Sequence, residues 1–140
     1  MSWWPFLRSS ARPSPDGAPA AADLEAAVVA LRQMLRAERH RLRPDSWALA
    51  WEMVEHAAEY APAWTRLQRT RPVETQELVL ALTDRLDPLL RDFLALPDSD
   101  KPAHADAVHA RLLQQSTEHA RLCRRLTRAL TARLRGGEEL

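Results

Sequence analysis

Glycine is scarce in this sequence, with 3 residues in a chain of 140. A β-rich fold of this size needs many tight turns, and the commonest hairpin turns require Gly. Ala, Leu, Arg and Glu dominate the chain instead, and all four favour the helix. The composition therefore predicts an all-α protein whose single domain can bury roughly two-thirds of its unfolded surface.

Cysteine and lysine are almost absent as well. Cys123 is the only cysteine, which excludes an intrachain disulfide and a cysteine-based metal site. A single thiol is typical of a reducing compartment, so we expect a cytoplasmic protein in which Cys123 is a half-buried structural residue. Lys101 is the only lysine, and the formal net charge is +1. This charge balance does not favour a dedicated nucleic-acid-binding protein.

The sequence motifs of common enzyme classes are missing too. The chain contains no Gly-rich phosphate loop, no G-x-S-x-G and no H-E-x-x-H. No stretch approaches the ~20 apolar residues that a transmembrane helix needs. The usual sequence grounds for proposing an enzyme or a membrane-spanning protein are therefore absent.

The N-terminal segment, residues 1–22, is unlike the rest of the chain. It begins with Trp3, Trp4, Phe6 and Leu7 and continues as a Pro-, Ala- and Ser-rich stretch that predicts a disordered linker. Each large apolar side chain that stays in water is roughly 1.5–3 kcal/mol less favourable than the same side chain fully buried. We therefore expect these four side chains to dock on the bundle, on a protein partner or weakly at a membrane surface.

Apolar residues at heptad-like spacing predict four helices within residues 23–137, followed by an acidic C-terminal tail over 138–140. The expected helices cover 23–42, about 45–68, about 24 residues from Pro72, and about 102–135. Pro62 and Pro88 should kink or split the second and third helices, and Gly136-Gly137 should end the fourth. Because the connections are short, we predict an antiparallel four-helix bundle.

A basic cluster lies near the end of the predicted fourth helix. Its members are Arg121, Arg124, Arg125 and Arg128, which lie away from the seam formed by Leu122 and Leu126. Such a face could grip a phosphate backbone, but no aromatic residue among them could stack a base. A solvated basic face is the favoured interpretation, with nucleic-acid binding as an alternative.

Histidines and acids suggest a second alternative, a metal-dependent bundle enzyme. Glu52, His56 and Glu59 share one helix face, and Asp106 with His109 forms an i, i+3 pair. A bundle metal site of the di-iron type requires two Glu-x-x-His motifs on facing helices, and the sequence has neither. We therefore predict no metal and no cofactor. His119 and Gln115, in the apolar seam of the fourth helix, are interpreted as a hydrogen-bonded pair that fixes helix register.

The favoured hypothesis is a non-catalytic interaction or adaptor protein that contacts a protein partner or a second copy of itself. The predicted second helix contains three tryptophans, which is more than its narrow apolar face can bury; they are Trp47, Trp51 and Trp64. Trp64 follows the Pro62 break, so we expect it to line a surface groove. The predicted contact residues are Trp3, Trp4, Phe6, Leu7, Tyr60 and Trp64.

Overall fold

The computed structural model describes residues 21–139, and every regular element in that range is helical. The α-helices are α1 (Ala21–Ala37), α2 (Pro44–Ala58), α3 (Trp64–Thr70), α4 (Pro72–Leu80), α5 (Asp87–Leu94) and α6 (Lys101–Glu139). Two 3₁₀ turns, Arg39–Arg41 and Ala61–Ala63, and a π-helical segment, Ala81–Leu86, join them. The predicted all-α four-helix bundle is confirmed, with α2–α3 and α4–α5 each forming one interrupted helix.

One apolar core runs through the bundle and draws side chains from every α-helix. The apolar residues that repeat at heptad-like spacing in the first predicted helix, Leu24, Val28, Leu31, Leu35 and Leu42, lie inside it. The side chains that are almost completely buried include Leu24, Leu31, Leu35, Val54, Trp64, Leu67, Leu78, Leu82, Leu86, Leu90, Leu112 and Leu126. Burying each of them contributes roughly 1.5–3 kcal/mol, so this core is the main source of stability.

The break predicted at Pro62 is present. Proline lacks an N–H, and its ring clashes with the carbonyl four residues earlier, which belongs to Ala58. Helix α2 ends at Ala58, a 3₁₀ turn follows over Ala61–Ala63, and α3 begins at Trp64. The local conformation therefore follows directly from the ring of Pro62.

Pro88 has a different effect, because the helix widens ahead of it. Residues Ala81–Leu86 form a π-helical segment in which the Asp87 N–H donates to the Leu82 carbonyl, five residues earlier. The wider turn accommodates the proline ring, which in a regular α-helix would collide with the Asp84 carbonyl. Helices α4 and α5 therefore continue through the segment, and π-helical turns of this kind are frequent at functional sites.

Helix α6 is longer than predicted. It spans 39 residues, or about 58 Å at 1.5 Å per residue, and runs through Gly136-Gly137 to Glu139. The prediction that the two glycines end the helix is wrong. Glycine costs about 1 kcal/mol relative to alanine in a helix, which disfavours the conformation without forbidding it.

Lys101, the single lysine, closes the C-terminal end of α5. Its buried ammonium donates to the carbonyls of Leu94 (3.2 Å) and Leu96 and to the Asp98 carboxylate (2.9 Å). The last carbonyls of a helix lack partners within the helix and form the negative end of its dipole. All three ammonium protons are used, which suits a compact lysine head better than a planar guanidinium.

We expect Lys101→Met to lower the free energy of unfolding by about 2 kcal/mol, because the carbonyls that Lys101 serves lose a charged donor. Urea unfolding at neutral pH measures the change. Asp98→Asn is the control, since Asp98 is mostly exposed and its loss should cost clearly less. Equal losses for the two variants would show that the carbonyl contacts of Lys101 contribute nothing.

Candidate functional site

The N-terminal contact residues predicted from the sequence, Trp3, Trp4, Phe6 and Leu7, lie outside the described residues. The other two predicted contact residues, Tyr60 and Trp64, are both buried. The prediction that Trp64 lines a surface groove is wrong, because α3 begins at Trp64 and places its ring in the core. The apolar surface of the indole favours this position over solvent.

Tyr60 ties the end of α2 to α6. Its hydroxyl donates to the Cys123 carbonyl (2.8 Å) and lies 2.7 Å from the Thr127 hydroxyl. Both contacts are internal to the bundle, so this hydroxyl is not available to a partner in the folded state. The burial of Tyr60 is thus explained by its anchoring of α6.

Burial also raises the pKa of the Cys123 thiol to about 11, so the thiolate is rare at neutral pH. This agrees with the half-buried structural thiol expected from the sequence. Iodoacetamide at pH 8 should therefore alkylate Cys123 in the folded protein about a hundredfold more slowly than free cysteine, whose pKa is about 8.5. Mass spectrometry over time measures the rate. Alkylation as fast as that of free cysteine would contradict the shielded thiol.

The other two tryptophans of the second helix join α2 to α1. Trp47 and Trp51 stack with their ring centroids 5.1 Å apart. Arg39 lies 4.2 Å from the ring centroid of Trp47, and Arg36 lies 5.3 Å from that of Trp51. The indole N–H of Trp47 donates to the Leu35 carbonyl (2.7 Å). These rings are therefore occupied by contacts within the bundle.

Two of the residues considered for a metal site, Asp106 and His109, make other contacts. Asp106 accepts a hydrogen bond from Arg43 (2.5 Å), and His109 Nδ1 lies 2.8 Å from the Ser46 hydroxyl. Glu55, which precedes His56 in the chain, accepts two hydrogen bonds from Arg32 (2.6 and 3.0 Å). Between residues 21 and 139, no group of three or more His, Cys, Asp or Glu side chains could hold a metal ion.

A cleft of about 500 Å³ lies between the π-helical segment and α6. We call it the His119 cleft. Its lining residues are Met53, Glu77, Ala81, Arg85, Gln115, Glu118, His119, Arg121, Leu122 and Arg125. Two members of the predicted basic cluster, Arg121 and Arg125, therefore meet Arg85 here, whereas Arg124 and Arg128 do not line the cleft. The nucleic-acid alternative for these arginines stays a prediction.

His119 is buried in the cleft, with 3% of its surface exposed, at a seam position between Leu112 and Leu122. Neither of its ring nitrogens has a hydrogen-bond partner in the described part of the chain. Burying a polar group without a partner costs roughly 1–3 kcal/mol. A leucine would fill the same heptad position without this cost, so the stability of the bundle does not explain the histidine.

Gln115 is held one turn before His119. Its amide Nε2 donates to the Arg85 carbonyl (3.3 Å), and its Oε1 is buried without a partner. Because a carbonyl can only accept, this contact fixes which end of the amide faces Arg85. Gln115 and His119 do not bond to each other, so their interpretation as a hydrogen-bonded register pair is wrong.

The buried ring of His119 is neutral at pH 7. Burial lowers its pKa to about 4, and the charge of nearby His56 adds to this shift. The Met53 carbonyl, whose approach to the ring falls short of hydrogen-bond geometry, opposes it. A neutral imidazole offers one N–H donor and one nitrogen acceptor. Together with Gln115 Oε1, the cleft thus contains one donor and two acceptors without partners.

The rim of the cleft is charged. Arg85, Arg121 and Arg125 face Glu77 and Glu118 around its opening, which leaves a net positive charge. Arg125 and Glu77 approach to 3.7 Å, but both are more than 40% exposed, so this pair is weak. Arg125 therefore remains able to exchange Glu77 for an anionic ligand.

Some of this site could be found in the sequence and some could not. The seam positions of Gln115 and His119 follow from the heptad pattern, as does the basic cluster of Arg121 and Arg125. The contribution of Arg85 depends on the π-helical segment, for which Pro88 is the only sequence signal. Periodicity alone does not predict that a helix will insert one residue into its turn.

Searches of protein-family models, of curated proteins and of solved structures each returned no match to this chain. In the described range, no helix combines the length and the apolar character that crossing a membrane requires.

Proposed function

We propose that this chain is a non-catalytic helical-bundle interaction protein that recognises an acidic group of a protein partner in the His119 cleft. The observation that carries the proposal is the set of buried, unpartnered atoms at this one place. Of the five buried side-chain polar atoms without a partner in the described chain, three belong to Gln115 and His119. Buried polar groups of this kind are uncommon and call for an explanation beyond packing.

The charged rim supports recognition of an anion. Arginine presents a planar fork of donors that matches a carboxylate, and such bonds are about twice as strong as those between neutral groups. Three arginines around a cleft of about 500 Å³ provide this chemistry next to a partly enclosed pocket. Volumes of roughly 300–1,000 Å³ are usual for pockets that hold a small molecule.

A photo-crosslinking amino acid placed at Glu118 tests the proposal in the cells from which the gene comes. Glu118 lines the cleft, and its carboxylate cannot donate a hydrogen bond to the proposed anion. We expect irradiation to yield one discrete adduct. The control is the same crosslinker at Leu113, which is 48% exposed and lies about 140° around α6 from Glu118. Adducts at Leu113 but not at Glu118 would contradict the proposal.

A further inference from the structure

The occupant of the His119 cleft must satisfy two different chemical demands. Arg85, Arg121 and Arg125 supply positively charged donors, which favour an oxyanion. Gln115 Oε1 is a buried acceptor, so it requires a donor from the occupant. A ligand that satisfies both sets of groups carries an N–H or O–H donor close to its negative charge.

Few groups in proteins carry a donor two bonds from a carboxylate carbon. The side-chain carboxylates of Asp and Glu are acceptors only when ionised, and the backbone N–H of the same residue lies three bonds from the carboxylate carbon in Asp and four in Glu. A C-terminal carboxylate carries the backbone N–H of its own residue on the adjacent carbon. Capture of a C-terminal carboxylate is also an established mode of peptide recognition.

We propose that the His119 cleft binds the free C-terminus of a protein partner. This inference rests on the proposed function of the cleft and names the group that it recognises. The terminal carboxylate lies against the guanidinium groups of Arg121 and Arg125, and the N–H of the last residue donates to Gln115 Oε1. The neutral imidazole of His119 donates to or accepts from the terminal peptide group, which relieves its unpartnered state.

The size of the cleft agrees with this occupant. A volume of about 500 Å³ corresponds to a linear dimension of about 8 Å. Two to three residues of an extended peptide, at about 3.3 Å each, span the same distance. The remaining negative charges on the rim, Glu77 and Glu118, lie beside the arginines and disfavour a highly charged ligand such as a phosphate dianion.

Titration with two tripeptide libraries tests the inference. Both are acetylated at the N-terminus, and one ends in a free carboxylate while the other ends in an amide. The protein carries ¹⁵N-labelled histidine, so that the ring signals of His119 report binding directly. We expect saturable shifts of these signals with the free carboxylates. Amidation should weaken binding by about tenfold or more, because it removes the negative charge of the carboxylate and one of its two acceptor oxygens.

Three variants locate the binding groups. Arg121→Ala and Gln115→Leu should each weaken the binding of the free tripeptides by about tenfold. Arg124→Ala should leave it unchanged, because Arg124 belongs to the same basic cluster and does not line the cleft. Inorganic phosphate and free amino acids serve as competitors, and we expect neither to displace the tripeptides at equal concentration.

Equal binding of amidated and free tripeptides would overturn the C-terminal inference, and so would unchanged binding by Gln115→Leu. Displacement by phosphate at equal concentration would show that the cleft is a general oxyanion site, which also overturns it. An adduct from the crosslinker at Glu118 would leave the proposed function standing in each of these cases. If no adduct forms at Glu118, the proposed function itself is contradicted.

Discussion

Replacing His119 with leucine is expected to raise the free energy of unfolding by about 2 kcal/mol. The substitution removes a buried polar ring whose two nitrogens lack partners, and the cost of such a group is roughly 1–3 kcal/mol. Leucine has a similar volume and continues the seam between Leu112 and Leu122. Urea unfolding at pH 7.5 measures the change, and the midpoint of thermal unfolding should rise by several degrees.

The matched control for this substitution is His109→Leu on the same helix. His109 Nδ1 lies 2.8 Å from the Ser46 hydroxyl, so its replacement removes a hydrogen bond and should lower stability by about 1 kcal/mol. Opposite signs for the two histidines would separate the effect of an unpartnered ring from a general effect of leucine on α6. A loss of stability in His119→Leu would mean that His119 serves the bundle after all.

The second large effect is a loss of stability when the pH falls from about 6.5 to about 4. The pKa of His119 is about 4 in the folded protein and about 6.5 in the unfolded chain. Between these values the unfolded chain binds a proton that the folded protein does not, so acid favours unfolding. This titration leaves the free energy of unfolding unchanged above pH 6.5 and lowers it by about 3 kcal/mol by pH 4.

The difference between wild type and His119→Leu isolates this titration. Other groups shift in opposite directions, because Arg43 lowers the pKa of Asp45 to about 2 and burial raises the pKa of Asp87. These contributions are common to both proteins and cancel in the difference. We expect the advantage of the leucine variant to grow from about 2 kcal/mol at pH 7.5 to about 5 kcal/mol at pH 4. A constant difference across this range would contradict the buried, neutral histidine.

The sequence was sufficient for the fold because helix periodicity and proline chemistry are local signals. Leu24, Leu31 and Leu35 recur on one face of α1, and burial of that face requires no knowledge of the rest of the chain. Pro62 interrupts the second helix for a reason that its own ring supplies. Tertiary packing decides the details that were missed, such as the extension of α6 through Gly136-Gly137.

The site was harder to predict because it depends on contacts between distant segments. Trp64 was expected at the surface, yet it packs in the core once α3 turns inward. The sequence predicts that Gln115 and His119 lie in the apolar seam of the fourth helix. It does not show whether two such residues form a hydrogen bond with each other or remain without partners. Arg85 reaches the cleft only through a π-helical turn thirty residues before Gln115.

The most direct test of recognition at the cleft combines His119→Leu with the crosslinker at Glu118. If His119 contacts the partner, the double variant should be more stable than the protein that carries the crosslinker alone. It should also form no adduct. Retention of an undiminished adduct in the stabilised variant would show that the partner does not use His119, and it would contradict the role proposed for the cleft.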